Sequence, residues 1–104
     1  VLTMATRGGA TAIGLGDKIG SIEPGKQADL IQVEFDDVHH VPTYDVVSHL
    51  VYVNDEQDVS SVVVDGKVLM RDREMLTIDT EQVAAEARAF AAQIQSALRE
   101  RNRK

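Results

Sequence analysis

Gly20-Ser-Ile-Glu-Pro-Gly-Lys-Gln-Ala-Asp-Leu-Ile-Gln-Val-Glu34 is the stretch around which the chain is organised. It reads as a tight turn feeding a buried strand. Proline at 24 fixes φ near the value needed at the second turn position. Gly25 supplies the positive φ of the third, as a type II turn demands. Ala28 to Glu34 is then the main strand. Leu30, Ile31 and Val33 interrupt the polar alternation of a one-sided surface strand, so the pattern predicts cover on both faces.

Upstream, Lys18 to Ile22 reads as a short strand, and Gly14-Leu15-Gly16-Asp17 as the close of a helix over 1–15, since glycine tolerates the left-handed C-terminal position. Leu2, Ala5, Ala12, Ile13 and Leu15 share a face of that helix. Gly8-Gly9 weakens its middle by about 1 kcal/mol per glycine relative to alanine, which suits close helix packing or a break. Arg7-Gly-Gly-Ala-Thr11 has something of a phosphate loop. It lacks the preceding strand and the Gly-Lys-Ser/Thr ending, so a nucleotide site is not expected there.

Downstream, Asp36-Asp-Val-His-His-Val-Pro42 reads as a loop. Its acidic residues and histidines invite a metal. However, adjacent residues on extended chain point to opposite faces, so His39 and His40, like Asp36 and Asp37, are not expected to converge. An ordinary surface loop is the expectation, with no metal ligands assigned. Val46, Val47, Leu50 and Val51 have helical spacing, which predicts a short helix near 45–52 capped by Thr43 or Asp45. His49 on it titrates near neutrality, but no nucleophile or carboxylate stands at fixed spacing beside it. Packing or hydrogen bonding is its expected role. After a polar turn at 54–58, Val59–Val64, Asp65-Gly66 and Lys67–Arg71 form the clearest local signal, a two-residue hairpin with a type I′ turn. Turn chemistry accounts for Asp65, Gly66 and Lys67 without a site. A second turn at 72–74 leads to a last strand over 75–78.

Asp79 opens the terminal helix over 79–104, with Gln82 as its capping-box partner. Val83, Ala87, Phe90, Ile94 and Leu98 form one apolar stripe. Glu81 and Glu86 lie towards the positive end of the helix dipole. Arg99, Arg101, Arg103 and Lys104 lie at the negative end, where cations are favoured. That basic tail is short and lacks interleaved aromatics, so it reads as a solvated helix end and not a nucleic-acid arm.

At 104 residues the chain is one domain or part of one. The expected class is α+β, a single domain over 1–104 with a small β region at 18–78 between the two helices. Aromatics make up only 4%, so Val, Ile, Leu and Ala must fill the interior. A net charge of −6 disfavours nucleic acid and anionic membranes as partners. The chain has no cysteine, so disulfides and thiolate metal sites are excluded. No apolar run reaches transmembrane length, and the first residues lack a signal pattern, so a cytoplasmic location is expected. The start at Val1 is compatible with a trimmed chain, an alternative start codon or a larger parent.

Gly20-Ser21-Ile22-x-x-Gly25-Lys26-x-Ala28-Asp29-Leu30-Ile31 resembles the signature near the C-terminal end of metal-dependent amidohydrolases, within the group of triazine hydrolases and methylthioadenosine/S-adenosylhomocysteine deaminases. Met4-Ala5-Thr6-x-x-Gly9-Ala10-x-x-x-Gly14-Leu15 is similar to that family's helix after the last catalytic strand. Ser48-His49-Leu50-Val51-Tyr52, the hairpin and Leu76-Thr77-Ile78-Asp79 also have counterparts, so the resemblance covers nearly the whole chain.

The resemblance implies that the parent enzyme holds a divalent metal, zinc or iron, with a His-x-His pair, two further histidines and an aspartate on a (β/α)8 barrel. Such a barrel needs about 200 residues or more, and no His-x-His triplet occurs here. No catalytic or metal-ligating residue is therefore assigned to any position, and the substrate-binding residues are unknown. The resemblance implies architecture instead: part of the small composite β-sandwich that accompanies the barrel, with flanking helices, a long C-terminal helix and no barrel of its own. The expected role is a non-catalytic C-terminal accessory segment, inactive alone and requiring no cofactor itself. Its parent would hydrolyse non-peptide C–N bonds, as in deamination of an aminopurine. The alternative is a free-standing oligomerisation or binding module. Expected partners are the barrel domain or further copies of the chain, because an unpaired sheet edge and an exposed apolar face are templates for association.

Overall fold

The computed structural model describes residues 1–103. Lys104, read above as part of the basic helix end, lies outside them. The chain divides into two compact units, Val1–Glu74 and a second that begins at Met75.

The first unit opens with a π-helical turn, Met4–Gly8, continued by α1, Gly9–Ala12. The wider π spacing falls where Gly8 and Gly9 weaken the helix. Thr6 and Thr11 hydroxyls each donate to the carbonyl four residues back, Leu2 O at 2.8 Å and Arg7 O at 2.9 Å. Helical structure ends at Ala12, and Gly14 at φ +75 turns the chain away.

Lys18–Ile22, expected as a strand, is irregular. Its backbone is committed elsewhere: Lys18 and Ile19 N–H donate to Leu15 O, and Lys18 O accepts from Gln27 N–H at 2.8 Å. Those bonds fold the start of the segment over the helix end, so Lys18 and the Ile19 N–H are not free for a sheet ladder. Gly20, at φ +89, sits so near the helix that a Cβ there would lie 2.7 Å from that of Ala10. The close approach expected of Gly8 or Gly9 is thus made by Gly20. Ala10 is the one buried hydrophobic residue among those described.

Pro24-Gly25 turns as expected, with Gly25 at φ +88. Lys26 fastens the turn. Its ammonium donates to Gly16 O at 2.9 Å and Ser21 Oγ at 2.8 Å, and lies 3.2 Å from Glu23. The main strand is shorter than expected, β1 at Leu30–Val33. It pairs antiparallel with β2, Val59–Val64, which pairs antiparallel with β3, Lys67–Arg71. A two-residue strand β4, Glu74–Met75, completes the order β1-β2-β3-β4 and replaces the strand expected over 75–78. Asp65 at φ 49 and Gly66 at φ 76 make the I′ turn between β2 and β3. Asp29 Oδ1 accepts from Asp65 N–H at 2.6 Å, tying the start of β1 to that turn. The β1–β2 register slips between Gln32 and Val33, leaving Ser60 as the extra, fully buried residue.

β1 lies at an edge, and its apolar side chains are not covered on both faces: Ile31 is 58% and Leu30 39% exposed. Between β2 and the first helical turn runs an open groove of about 460 Å³, lined by residues including Ala5, Ile22, Leu30, Ile31, Val62 and Val64.

The short helix is α2, Val46–Tyr52. Asp45 is its cap, accepting from Ser48 N–H at 2.6 Å. Thr43, the other candidate, instead donates to His40 O. In the second unit α3 spans Thr80–Asn102, with Asp79 accepting from Gln82 N–H at 3.0 Å. Only half of the capping box forms, because the Gln82 side chain donates forward to Glu86 at 2.9 Å. The stripe residues Val83, Phe90, Ile94 and Leu98 are all exposed.

Candidate functional site

The polar centre of the first unit is built from three short segments that leave the sheet. Beyond β1, the chain passes Phe35 into a 3-10 turn, Val38–His40, held by His40 N–H donating to Asp37 O at 2.9 Å. A second 3-10 turn, Glu56–Asp58, leads into β2. Asp55 caps it by accepting from Gln57 N–H at 2.7 Å, while Asp58 Oδ2 accepts from Asp55 N–H at 2.9 Å. Asp58 O also accepts from Glu34 N–H at 2.9 Å. One residue therefore joins the exit of β1 to the start of β2.

Both histidines of the first turn converge on this carboxylate. His39 Nε2–H donates to Asp58 at 2.9 Å, and His40 Nε2 lies 3.1 Å from Oδ2. The sequence expectation that His39 and His40 diverge is corrected here. It assumed extended backbone, whereas a 3-10 turn advances about 120° per residue, and the two rings lie 4.1 Å apart at 42°. Asp36 and Asp37 do not meet the histidines but line, with Glu34, Asp58 and Arg73, a cavity of about 140 Å³. Arg73 is held there by Glu34 at 2.9 Å and by Gln57 O at 2.7 Å.

Burial differs sharply within the cluster. His40 and Asp58 are fully buried, whereas the His39 side chain is 36% exposed. The Asp58 carboxyl is held down at about 2, foremost by the Asp55 backbone N–H and against the opposing effect of burial. The hydrogen bond to that carboxylate raises His39 above the ordinary imidazole range. Phe35 packs on His40 at 4.7 Å, and His49 lies 5.7 Å from it on the α2 side. The His49 Nδ1–H donates to Asp45 O at 3.2 Å.

His39, His40 and Asp58 are the residues that could hold a metal ion, their donor atoms all lying within 4.8 Å of one another. Asp58 escapes the sequence reading, where it is only part of a polar turn. The available signal was Asp55-x-x-Asp58, the spacing of a reciprocal cap. No described helix is long and apolar enough to cross a membrane.

The model of the amidohydrolase family matches residues 1–69. The 5-methylthioadenosine/S-adenosylhomocysteine deaminase of Syntrophomonas wolfei is 41% identical over 93 residues, covering 89% of this chain and 22% of that protein. Its counterpart in Pelotomaculum thermopropionicum is 45% identical over 93 residues, 89% of this chain and 21% of that one. Among solved structures, a zinc-bound adenosine deaminase from Xanthomonas campestris superposes with a TM-score of 0.84 at 41% identity, over 91% of this chain and 22% of that chain. The zinc complex of atrazine chlorohydrolase from Arthrobacter aurescens gives 0.75 at 34%, over 85% and 19%. The chain thus spans about a fifth of the length of the curated relatives it matches.

Proposed function

Because the chain belongs to the amidohydrolase family, in the group of triazine hydrolases and methylthioadenosine/S-adenosylhomocysteine deaminases, we propose that it is a non-catalytic C-terminal accessory segment of such an enzyme. In that role it completes the small β-sandwich and braces a catalytic barrel. The observation that carries this is the open apolar groove along β1, with Ile22 87% and Ile31 58% exposed. A strand whose sequence calls for cover on two faces, yet whose apolar residues stand open, fits a partner strand or barrel face.

The parent reaction is hydrolysis of a non-peptide C–N bond, with deamination of an aminopurine nucleoside the first choice, in line with the deaminases named above. A divalent metal in such an enzyme supplies an activated water at neutral pH. The residues here do not fit that catalytic metal. The chain has three histidines, none in a His-x-His triplet, and two of them lie on one buried carboxylate. No catalytic step runs through them.

Complementation tests the reading. The corresponding segment is removed from the S. wolfei deaminase, and this chain is added in trans. Recovered release of ammonia from 5′-methylthioadenosine supports bracing. Turnover by this chain alone with zinc overturns it. The same open edge would receive a second copy of the chain, the alternative role as an oligomerisation module. Light scattering that shows a concentration-dependent dimer, together with failed complementation, would favour that alternative.

A further inference from the structure

We infer that His39, His40 and Asp58 form a binding site for one divalent transition-metal ion, with zinc the best match to two imidazoles and a carboxylate. The inference is independent of the bracing role proposed above.

Three observations carry it. The first is the state of His40. Its ring is fully buried, and neither Nδ1 nor Nε2 has a hydrogen-bond partner. Nε2 comes within 3.1 Å of Asp58 Oδ2 but out of line for an N–H bond. Buried polar atoms are nearly always partnered, and an orphan carries its full desolvation cost. A metal–nitrogen bond at Nε2 would relieve that cost at one atom.

The second is spacing. Metal–ligand bonds of about 2.0–2.1 Å in a tetrahedron set neighbouring ligand atoms about 3.4 Å apart. Both ring Nε2 atoms lie 3.1 Å from the same oxygen, Asp58 Oδ2, which already approaches that figure. Since all donor atoms lie within 4.8 Å, the ring nitrogens need at most a modest closure towards each other. Asp58 is pre-oriented from behind, because its Oδ2 also accepts the Asp55 N–H at 2.9 Å. Support of this kind fixes a ligating carboxylate in place.

The third is access and charge. His39 is the partly exposed member, so an ion reaches the cluster from its side and keeps a water as fourth ligand. Asp58 also lines the cavity of about 140 Å³ with Glu34, Asp36, Asp37 and Arg73. Glu34 neutralises Arg73, which leaves Asp36 and Asp37 to draw a cation inward. Bound there, the ion would clamp the two 3-10 turns together, replacing the proton that His39 now shares with Asp58.

The test is titration of the 104-residue chain with Zn²⁺ by calorimetry, and with Co²⁺ by visible absorption. One ion per chain, with the intense d–d bands of four-coordinate cobalt, is expected. His39→Ala, at a partly exposed ring, should fold normally by circular dichroism and bind at least tenfold more weakly. His40→Leu should do the same, while His49→Gln should bind as the parent does. Imidazole ¹⁵N NMR of the unmodified chain supplies a readout that needs no variant: the Nε2 resonances of both His39 and His40 should shift on zinc addition. Absence of stoichiometric binding below millimolar zinc, unmoved Nε2 resonances, or full affinity in folded His39→Ala would overturn the site.

Discussion

Among the glycines, Gly20→Ala is the substitution that meets the tightest surroundings. The glycine sits at φ +89, where a side chain costs about 1–2 kcal/mol. The added Cβ would also lie 2.7 Å from Ala10 Cβ, 3.0 Å from Thr6 O and 3.2 Å from Arg7 Cα. Carbon atoms rest about 3.5–4.0 Å apart, so the segment must retreat by about 1 Å from the helix. Two of the three obstacles are backbone, which has no rotamer with which to yield. Overpacking of this kind costs about 1–3 kcal/mol, giving about 2–5 kcal/mol in all. Gly25 is the internal control: its φ is +88, yet a Cβ added there would have no neighbour within 4 Å. Gly25→Ala should therefore show only the conformational cost of about 1–2 kcal/mol. The difference between the two variants isolates the helix contact. Urea unfolding followed through the amide NMR signals of β2 reports on the first unit alone. With a slope near 1 kcal/mol per molar urea, Gly20→Ala should lower the midpoint by about 2 M or more. If the two variants fall within about 0.5 kcal/mol of each other, the close packing of Gly20 on Ala10 is not what the glycine is for.

Three further outcomes follow from the polar ties. Asp29→Ala removes the carboxylate that receives the Asp65 N–H and should destabilise the hairpin by about 1.5 kcal/mol, read from faster exchange of the β2 and β3 amides. Asp79→Ala deletes the cap of α3 and should cost about 1 kcal/mol, seen as lost helicity in the first turn by circular dichroism and carbon chemical shifts. The third concerns pH. His39 is raised above its ordinary value of 6.5, so its contribution is complete below pH 6.5 and fades as pH rises through the folded value. Asp58 is lowered to about 2 from 3.8, so its contribution is complete above pH 3.8 and fades as pH falls towards 2. The urea midpoint of the first unit should therefore be highest between these limits. His39→Gln should abolish the alkaline decline, and parallel profiles for the two proteins would refute the assignment.

What could be read from the sequence was local in origin. Asp65-Gly66 and Pro24-Gly25 specify their turns by backbone sterics alone, and both form. Asp45 and Asp79 cap the helices that they precede. The strand expected at Lys18–Ile22 does not form, because hydrophobic pattern says nothing about where backbone groups bond. Those of Lys18 and the Ile19 N–H are taken by Leu15 O and Gln27 N–H. The segment over 75–78 departs similarly, since only Glu74–Met75 has strand geometry. The candidate site was the least legible. His39 and His40 are adjacent, and their divergence holds only if the backbone is extended. Asp58, the residue that gathers them, lies nineteen positions from His39. No spacing rule links a 3-10 turn to a carboxylate brought up by the pairing of β1 with β2.

The inventory of buried residues connects the fold to the proposed role. Among the described residues Ala10 is the only buried hydrophobic, whereas His40, Asp58 and Ser60 are fully buried polar ones. The first unit is thus fastened at its centre by directional contacts: a reciprocal cap, the His39 imidazole on the Asp58 carboxylate, and an extra serine at a strand irregularity. Several of its branched aliphatic residues, Ile22, Leu30, Ile31, Val46 and Val47 among them, stand open instead. Polar fastening sets geometry well but supplies little net free energy, because each bond replaces one to water. Apolar burial is the dominant driving force for folding and for association alike. A segment with geometry fixed by the first and aliphatic surface held ready for the second is suited to being a wall for something else. Its own stability should rise when that surface is covered. Hydrogen exchange of the β1 and β2 amides in the complementation experiment should therefore slow in step with recovered turnover, and unchanged exchange in an active complex would show that the groove is not the contact.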